Sequence, residues 1–140
     1  MQRIYVVDTN VVVSGLIAAD STSPPVRVLN AMTDGSLMYL MSPELLDEYA
    51  QVLGRPALVR LHGQTRDQLD RLLTELVANS IWREPNATTD ALDLGDNHLW
   101  ALLAAEPAAQ LVTGDRLLQQ NPPNGVSVVS PRRLVDVFLH

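Results

Sequence analysis

Short apolar runs alternate along the chain with segments whose apolar residues recur at helical spacing. Runs rich in β-branched and aromatic residues are predicted to be strands, at about 3–7, 37–41, 80–84, 110–113 and 126–129. Helices are predicted at about 26–32, 42–53, 65–78 and 97–105, and again after Pro131. Because strands that alternate with helices through short loops indicate crossover connections, we predict an α/β fold whose parallel sheet has helices on both faces.

The bulk composition is that of one globular domain, which we predict to span residues 1–140. Of the 140 residues, 46% are hydrophobic and 19% are charged, a balance that supports an ordinary core. The chain has no cysteine, which excludes disulfides and thiolate-bound metals. We find neither a signal-like segment nor an apolar run of membrane length, so we expect a cytoplasmic protein with no membrane partner.

The net charge of −6 argues mildly against a nucleic-acid partner, because tight binding of nucleic acid usually needs a basic face. Two features weaken this argument. The 10 basic residues are all arginines, whose guanidinium groups suit bidentate contact with phosphate. Divalent cations held by acidic residues would also reverse the charge locally.

Two acidic residues follow directly on predicted strands: Asp8 follows the run RIYVV, and Asp115 follows LVTG. Ligands of parallel sheets bind outside the carboxyl ends of the strands, so we expect both carboxylates at the same edge of the sheet. Each residue could instead form a turn or cap a helix. The coincidence of the two favours a functional site.

Further acidic residues could reach the same edge. On its helix, Glu48 falls nearest the rim of the apolar face, whereas Glu44 and Asp47 point further toward solvent. Asp93 and Asp96 are three residues apart and would face one way in a helical turn, with Asp96 placed to cap the next helix. A solvated position for Glu48 and a simple capping role for Asp96 stay open.

Several carboxylates at one edge suit a hard divalent cation such as Mg²⁺, which takes oxygen ligands and keeps several waters. Two such ions can activate a water and stabilise the leaving oxygen of a phosphodiester. The histidines His62, His98 and His140 are widely separated, so we expect them to be non-catalytic.

Four segments resemble the PIN-domain family, in particular the subgroup described as toxins of toxin–antitoxin modules. They are VVDTNVVVSGL (6–16), SPELLDEYAQVLGRP (42–56), DLGDNHLWALLAA (93–105) and VTGDRLL (112–118). Together they span nearly the whole chain in the family's order. The resemblance implies a three-layer α/β/α sandwich around a parallel sheet of four to five strands. It also implies metal-dependent cleavage of RNA with Mg²⁺ or Mn²⁺, and as partners an RNA, a small antitoxin and a second copy of the chain in a dimer.

The resemblance also assigns roles to individual residues. The catalytic acids are Asp8, Glu48, Asp96 and Asp115, and Asp93 is an additional acid of the metal site. The polar residues that support these acids are Asn10, Ser14 and Thr113. Arg116, next to Asp115, is a candidate phosphate contact and equally a solvated surface charge. The chain departs from the subgroup in having no lysine, where a basic residue other than arginine is common near the catalytic face.

Two other functions fit part of the pattern. A haloacid-dehalogenase-like phosphatase would use Asp8 as its nucleophile, but Asn10 stands where that family has a second acid, and its lysine is absent. A non-catalytic PIN-like module that only binds a protein partner would share the fold, and the full set of acids argues against it. We therefore predict a metal-dependent ribonuclease in which Asp8, Asp96 and Asp115 bind metal directly or through water, and Glu48 binds metal or orients the attacking water.

Overall fold

The computed structural model of the protein describes residues 3–85 and 97–139. The elements in this part of the chain are β1 (Tyr5–Val7), α1 (Thr9–Ile17), α2 (Pro24–Asp34), β2 (Leu40–Met41), α3 (Pro43–Leu53), α4 (Pro56–His62), α5 (Arg66–Ala78), β3 (Ile81–Trp82), α6 (Asn97–Ala105), β4 (Gln110–Val112), α7 (Arg116–Gln120), β5 (Ser127–Val129) and α8 (Pro131–Phe138). Within the same ranges, no helix combines the length and the apolar character needed to cross a membrane.

The strands are all parallel where they pair. β1, β4 and β5 form a three-stranded sheet in the order β1-β4-β5, and β2 pairs with β3 in a second ladder. An isolated parallel bridge between Tyr5 and Tyr39 joins the two ladders at β1. The strands therefore lie side by side in the order β3-β2-β1-β4-β5. This confirms the predicted α/β fold with a parallel sheet flanked by helices.

The predicted strands are all present, and each is shorter than its apolar run. The predicted helices are present as α2, α3, α5, α6 and α8. The helices α1, α4 and α7 were not predicted from the sequence. Of these, α1 and α7 matter most for function, because they begin directly after Asp8 and Asp115.

The helix that carries Glu48 begins as its sequence indicates. The hydroxyl of Ser42 accepts a hydrogen bond from the backbone N–H of Leu45 (3.1 Å), and Pro43 occupies the first turn. Tyr49, on the inner face of α3, is fully buried, whereas Glu44 is exposed. Because this inner face packs on the core, Glu48 is held half-buried at its margin.

The first helix is held against the second by a close approach at Gly15. A Cβ atom at this position would lie 2.6 Å from the carbonyl oxygen of Pro25 and 2.9 Å from the Cβ of Leu29. Only glycine allows α1 and α2 to approach this closely. The contact fixes α1, whose first residues lie at the carboxyl end of β1.

Candidate active site

The carboxyl ends of β1 and β4 lie side by side and bring together residues 105 positions apart in the sequence. Val7 is paired with Val112, and the backbone N–H of Asp8 donates to the carbonyl oxygen of Val112 (2.9 Å). The hydroxyl of Thr113, which is completely buried, donates to Asp8 Oδ2 (2.8 Å). The predicted meeting of the strand ends at one edge is confirmed for Asp8 and for the segment that leads to Asp115.

Asn10 completes the contacts around this oxygen. Its amide nitrogen donates to Asp8 Oδ2 (3.0 Å) and lies 3.3 Å from Thr113 Oγ1, and its amide oxygen accepts from the backbone N–H of Gly114 (3.3 Å). Asp8 stands at the N-cap position of α1, yet its side chain makes no capping hydrogen bond to the described residues of that helix. The carboxylate is instead held by a neighbouring strand end, which is unusual for a simple cap.

Asp115 is fixed through its backbone and through one of its carboxylate oxygens. Its backbone N–H donates to Thr113 Oγ1 (3.1 Å), and its Oδ1 accepts from the backbone N–H groups of Leu117 (2.9 Å) and Leu118 (3.3 Å). Asp115 therefore caps α7, as one interpretation of the sequence allowed. A carboxylate has two oxygens, so capping through Oδ1 is compatible with binding a ligand through Oδ2.

Glu48 is held from two other elements. Thr9, at the start of α1, donates a hydrogen bond from its hydroxyl to Glu48 Oε2. Nε2 of His98, in the first turn of α6, lies 3.3 Å from Glu48 Oε1. The side chains of His98 and Glu48 are 16% and 29% exposed, so this contact is only partly accessible to water.

A buried tyrosine lies next to both Asp8 and Glu48. Burial raises the pKa of Tyr49 well above its ordinary value, and the negative charges of Asp8 and Glu48 raise the pKa further, as does Tyr39. The neutral phenol donates a hydrogen bond to the carbonyl oxygen of Val7, the last residue of β1. The hydrogen bond of Tyr49 thus connects α3 to β1, the strand that precedes Asp8. The negative charges of Asp8 and Glu48 both act on its phenol.

Two of the remaining predicted site residues lie at the surface of this region. A cleft of about 410 Å³ is lined by Asn10, Ser14 and Asp115, among others. Ser14 is exposed on α1, one turn beyond Asn10. Arg116 is exposed at the first position of α7, beside Asp115. The cleft therefore lies at the edge of the sheet where Asp115 follows β4.

The predicted ligands Asp93 and Asp96 lie outside the described residues. Within 3–85 and 97–139, no group of three or more histidine and acidic side chains is close enough to hold a metal ion. The donors that are described, Asp8, Glu48 and Asp115, are carboxylates, the ligand type that Mg²⁺ and Mn²⁺ prefer. The chemistry of the donor set fits a divalent cation, and the described acids would supply part of its ligands.

The roles of Thr9 and Tyr49 and the contact of His98 with Glu48 were not predicted from the sequence. Thr9 and Tyr49 are neighbours of Asp8 and Glu48 in the sequence, but nothing in a pattern of apolar positions indicates where their hydroxyls point. His98 was expected to be non-catalytic because the histidines are far apart in the sequence. The fold nevertheless brings His98 to Glu48, 50 residues away.

Acidic side chains lie at the ends of adjacent parallel strands, on a sheet that is flanked by helices. A family model described as the PIN domain matches residues 4–117, well over half of the chain, and the protein belongs to this family. PIN domains are generally nucleases, which are hydrolases, and they typically bind divalent metals. A comparison with curated proteins finds no match.

Proposed function

We propose that the protein is a divalent-metal-dependent endoribonuclease that hydrolyses RNA phosphodiester bonds. The observation that carries this proposal is the hydroxyl of Thr113, which bonds both to the carboxylate of Asp8 (2.8 Å) and to the backbone of Asp115 (3.1 Å). A completely buried hydroxyl thus fixes two acids relative to each other at adjacent strand ends. Membership of the PIN-domain family supports this reading over that of a haloacid-dehalogenase-like phosphatase.

In this proposal the metal ligands are Asp8 and Asp115, together with Asp93 and Asp96. Mg²⁺ or Mn²⁺ bound there would supply charge stabilisation at the phosphate and a water of lowered pKa. Glu48 binds the cation or orients the attacking water. Because one oxygen of Asp115 caps α7, its other oxygen is the one available for the site.

Polar neighbours hold these acids in place. Asn10 and Thr113 both donate to Asp8 Oδ2, and these two hydrogen bonds hold the carboxylate at the end of β1. Ser14 lines the cleft beside Asp115, where it can contact a bound water or a phosphate oxygen. Hydrogen bonds of this kind orient ligand carboxylates and typically affect metal affinity 10- to 100-fold.

The substrate must approach a protein with a net charge of −6. Bound cations would neutralise the acids locally, and Arg116 is exposed on the same edge, where its guanidinium can contact a phosphate. Since few basic groups would contribute, RNA binding should depend strongly on the divalent cation. We therefore expect weak RNA binding in the absence of metal.

The proposal is tested with purified protein, a fluorogenic single-stranded RNA, and the DNA of the same sequence. After treatment with a chelator, the protein should cleave RNA only when Mg²⁺ or Mn²⁺ is restored. Cleavage in the presence of the chelator would contradict the metal requirement. If neither metal restores cleavage while Mn²⁺ still raises the melting temperature, the protein is a metal-binding module without nuclease activity. If the metals neither restore cleavage nor raise the melting temperature, the favoured alternative is a non-catalytic module that only binds a protein partner.

We further infer, from the sequence resemblance, that the protein acts as the toxin of a toxin–antitoxin pair and forms a dimer. Expression of the wild-type chain in bacteria should arrest growth, and the Asp8→Asn variant should not. Where a small protein is encoded next to the chain, its co-expression should relieve the arrest, and it should co-purify with the chain. Light scattering measures whether the purified chain is a dimer.

A further inference from the structure

We propose that His98 is a positioning residue which, together with Thr9, fixes the carboxylate of Glu48 for the divalent cation. This inference rests on the proposed function, because it deepens the role of one acid in the same site. The contact spans three helices: Glu48 belongs to α3, His98 to α6 and Thr9 to α1. Both carboxylate oxygens of Glu48 are engaged, Oε1 by His98 and Oε2 by Thr9.

The geometry determines which nitrogen of His98 carries the proton. A carboxylate only accepts hydrogen bonds, so the contact with Glu48 requires a hydrogen on Nε2. In the neutral imidazole, Nδ1 is then an acceptor. Nδ1 is buried and has no hydrogen-bond partner among the described residues. No hydrogen bond from the described chain therefore competes for the orientation of the ring, and the contact with Glu48 selects the Nε2–H tautomer.

The distance between His98 Nε2 and Glu48 Oε1 indicates how His98 contributes to the site. At 3.3 Å, the contact is at the long end for an N–H···O hydrogen bond, so it contributes little stability. A glutamate side chain has considerable rotamer freedom, however, and ordering it on binding a ligand costs free energy. A carboxylate already held at both oxygens has lost part of this freedom before the cation arrives. Each oxygen keeps a second lone pair for the metal or for a metal-bound water.

The first test is a double-mutant cycle on Mn²⁺ affinity, measured by the paramagnetic resonance signal of free Mn²⁺. We expect His98→Ala to weaken Mn²⁺ binding about tenfold, and to have no effect when Glu48 has already been replaced in Glu48→Gln. His98→Gln, whose side-chain amide can still donate, should restore most of the affinity. An equal loss in both backgrounds, or no loss in the wild-type background, would overturn the inference.

A second measurement separates this inference from the proposed function. Imidazole ¹⁵N spectra of the metal-free protein, recorded at one fixed pH, should show the Nε2–H tautomer for His98. The signals should shift in Glu48→Gln and stay in place in Glu44→Gln, the exposed residue one turn earlier on α3. If the wild type binds no Mn²⁺, the proposed function fails and the spectra alone decide the His98 contact. Spectra that do not respond to Glu48→Gln refute it.

Discussion

The hydroxyl of Thr113 donates a hydrogen bond to the carboxylate of Asp8, with Oγ1 and Oδ2 separated by 2.8 Å. The two residues are 105 positions apart in the sequence and meet because β1 and β4 are neighbours in a parallel sheet. The same hydroxyl accepts from the backbone N–H of Asp115. Thr113 therefore holds Asp8 and Asp115 at a fixed spacing at the ends of the two paired strands.

Replacing Thr113 with valine should damage both stability and activity. Valine matches the shape of threonine but cannot donate to Asp8, which leaves a partly buried carboxylate without one of its donors. We expect a loss of about 1–3 kcal/mol in the free energy of unfolding and at least a tenfold slower cleavage of RNA. Urea unfolding and a fluorogenic RNA assay measure the two effects. Thr113→Ser keeps the hydroxyl and should retain most of the activity; equal losses in both variants would point to packing instead.

The Asp8→Asn variant should keep the fold and lose metal-dependent cleavage. The amide oxygen can still accept hydrogen bonds from Asn10 and Thr113, while the charge that would bind the cation is gone. Because Asp8 and Glu48 lie near the same buried tyrosine, their negative charges are close enough to repel each other, so removing one should not lower the melting temperature and could raise it. Asp47→Asn makes the same charge change on an exposed residue and should remain active. Full activity of Asp8→Asn with Mg²⁺ or Mn²⁺ would remove Asp8 from the mechanism.

Some of the fold could be predicted from the sequence because apolar runs mark strands irrespective of their partners. The helix α1 could not, since it contains three consecutive valines and Gly15, all weak helix formers. Its burial against α2 stabilises it instead. No helix was predicted at Pro56, which follows the predicted helix 42–53, yet Pro56 begins α4, where proline in the first turn is well tolerated.

The candidate site, like the fold, could be predicted from the sequence only in part. Asp8 and Asp115 could be selected because they follow strands, and Glu48 because it lies at the rim of a helix face. These are local properties of the sequence. The contacts of Glu48 with Thr9 and His98 join residues 39 and 50 positions apart, and they depend on how three helices pack. No periodicity within one element contains that information.

Divalent metal should raise the thermal stability, and the size of the effect should depend on Glu48 but not on Glu44. Ions that bind only the folded chain stabilise it by about 2.7 kcal/mol at a hundredfold excess over the dissociation constant. Both residues lie on α3, but Glu48 is half-buried beside Thr9, whereas Glu44 is exposed. Melting curves of Glu48→Gln and Glu44→Gln with and without Mn²⁺ compare the two. If only Glu44→Gln loses the shift, our assignment on this helix is wrong; if neither does, α3 supplies no ligand.

Stability should fall steeply above about pH 10, and the tyrosines should be the cause. Burial raises the pKa of Tyr39 and Tyr49 in the folded chain, whereas in the unfolded chain they titrate near 10. Below that pH both states hold these protons, so the tyrosines have no effect; above it the unfolded state loses protons first, and unfolding becomes easier. Each group should then cost about 1.4 kcal/mol per pH unit. The chain has no lysine or cysteine to obscure this effect, and its arginines titrate higher.

Absorbance at 295 nm and circular dichroism should therefore change together for these residues, and Tyr49→Phe should make the decline in stability shallower. Full ionisation of all tyrosines in a still-folded protein near pH 10 would show that Tyr39 and Tyr49 are not shielded from solvent.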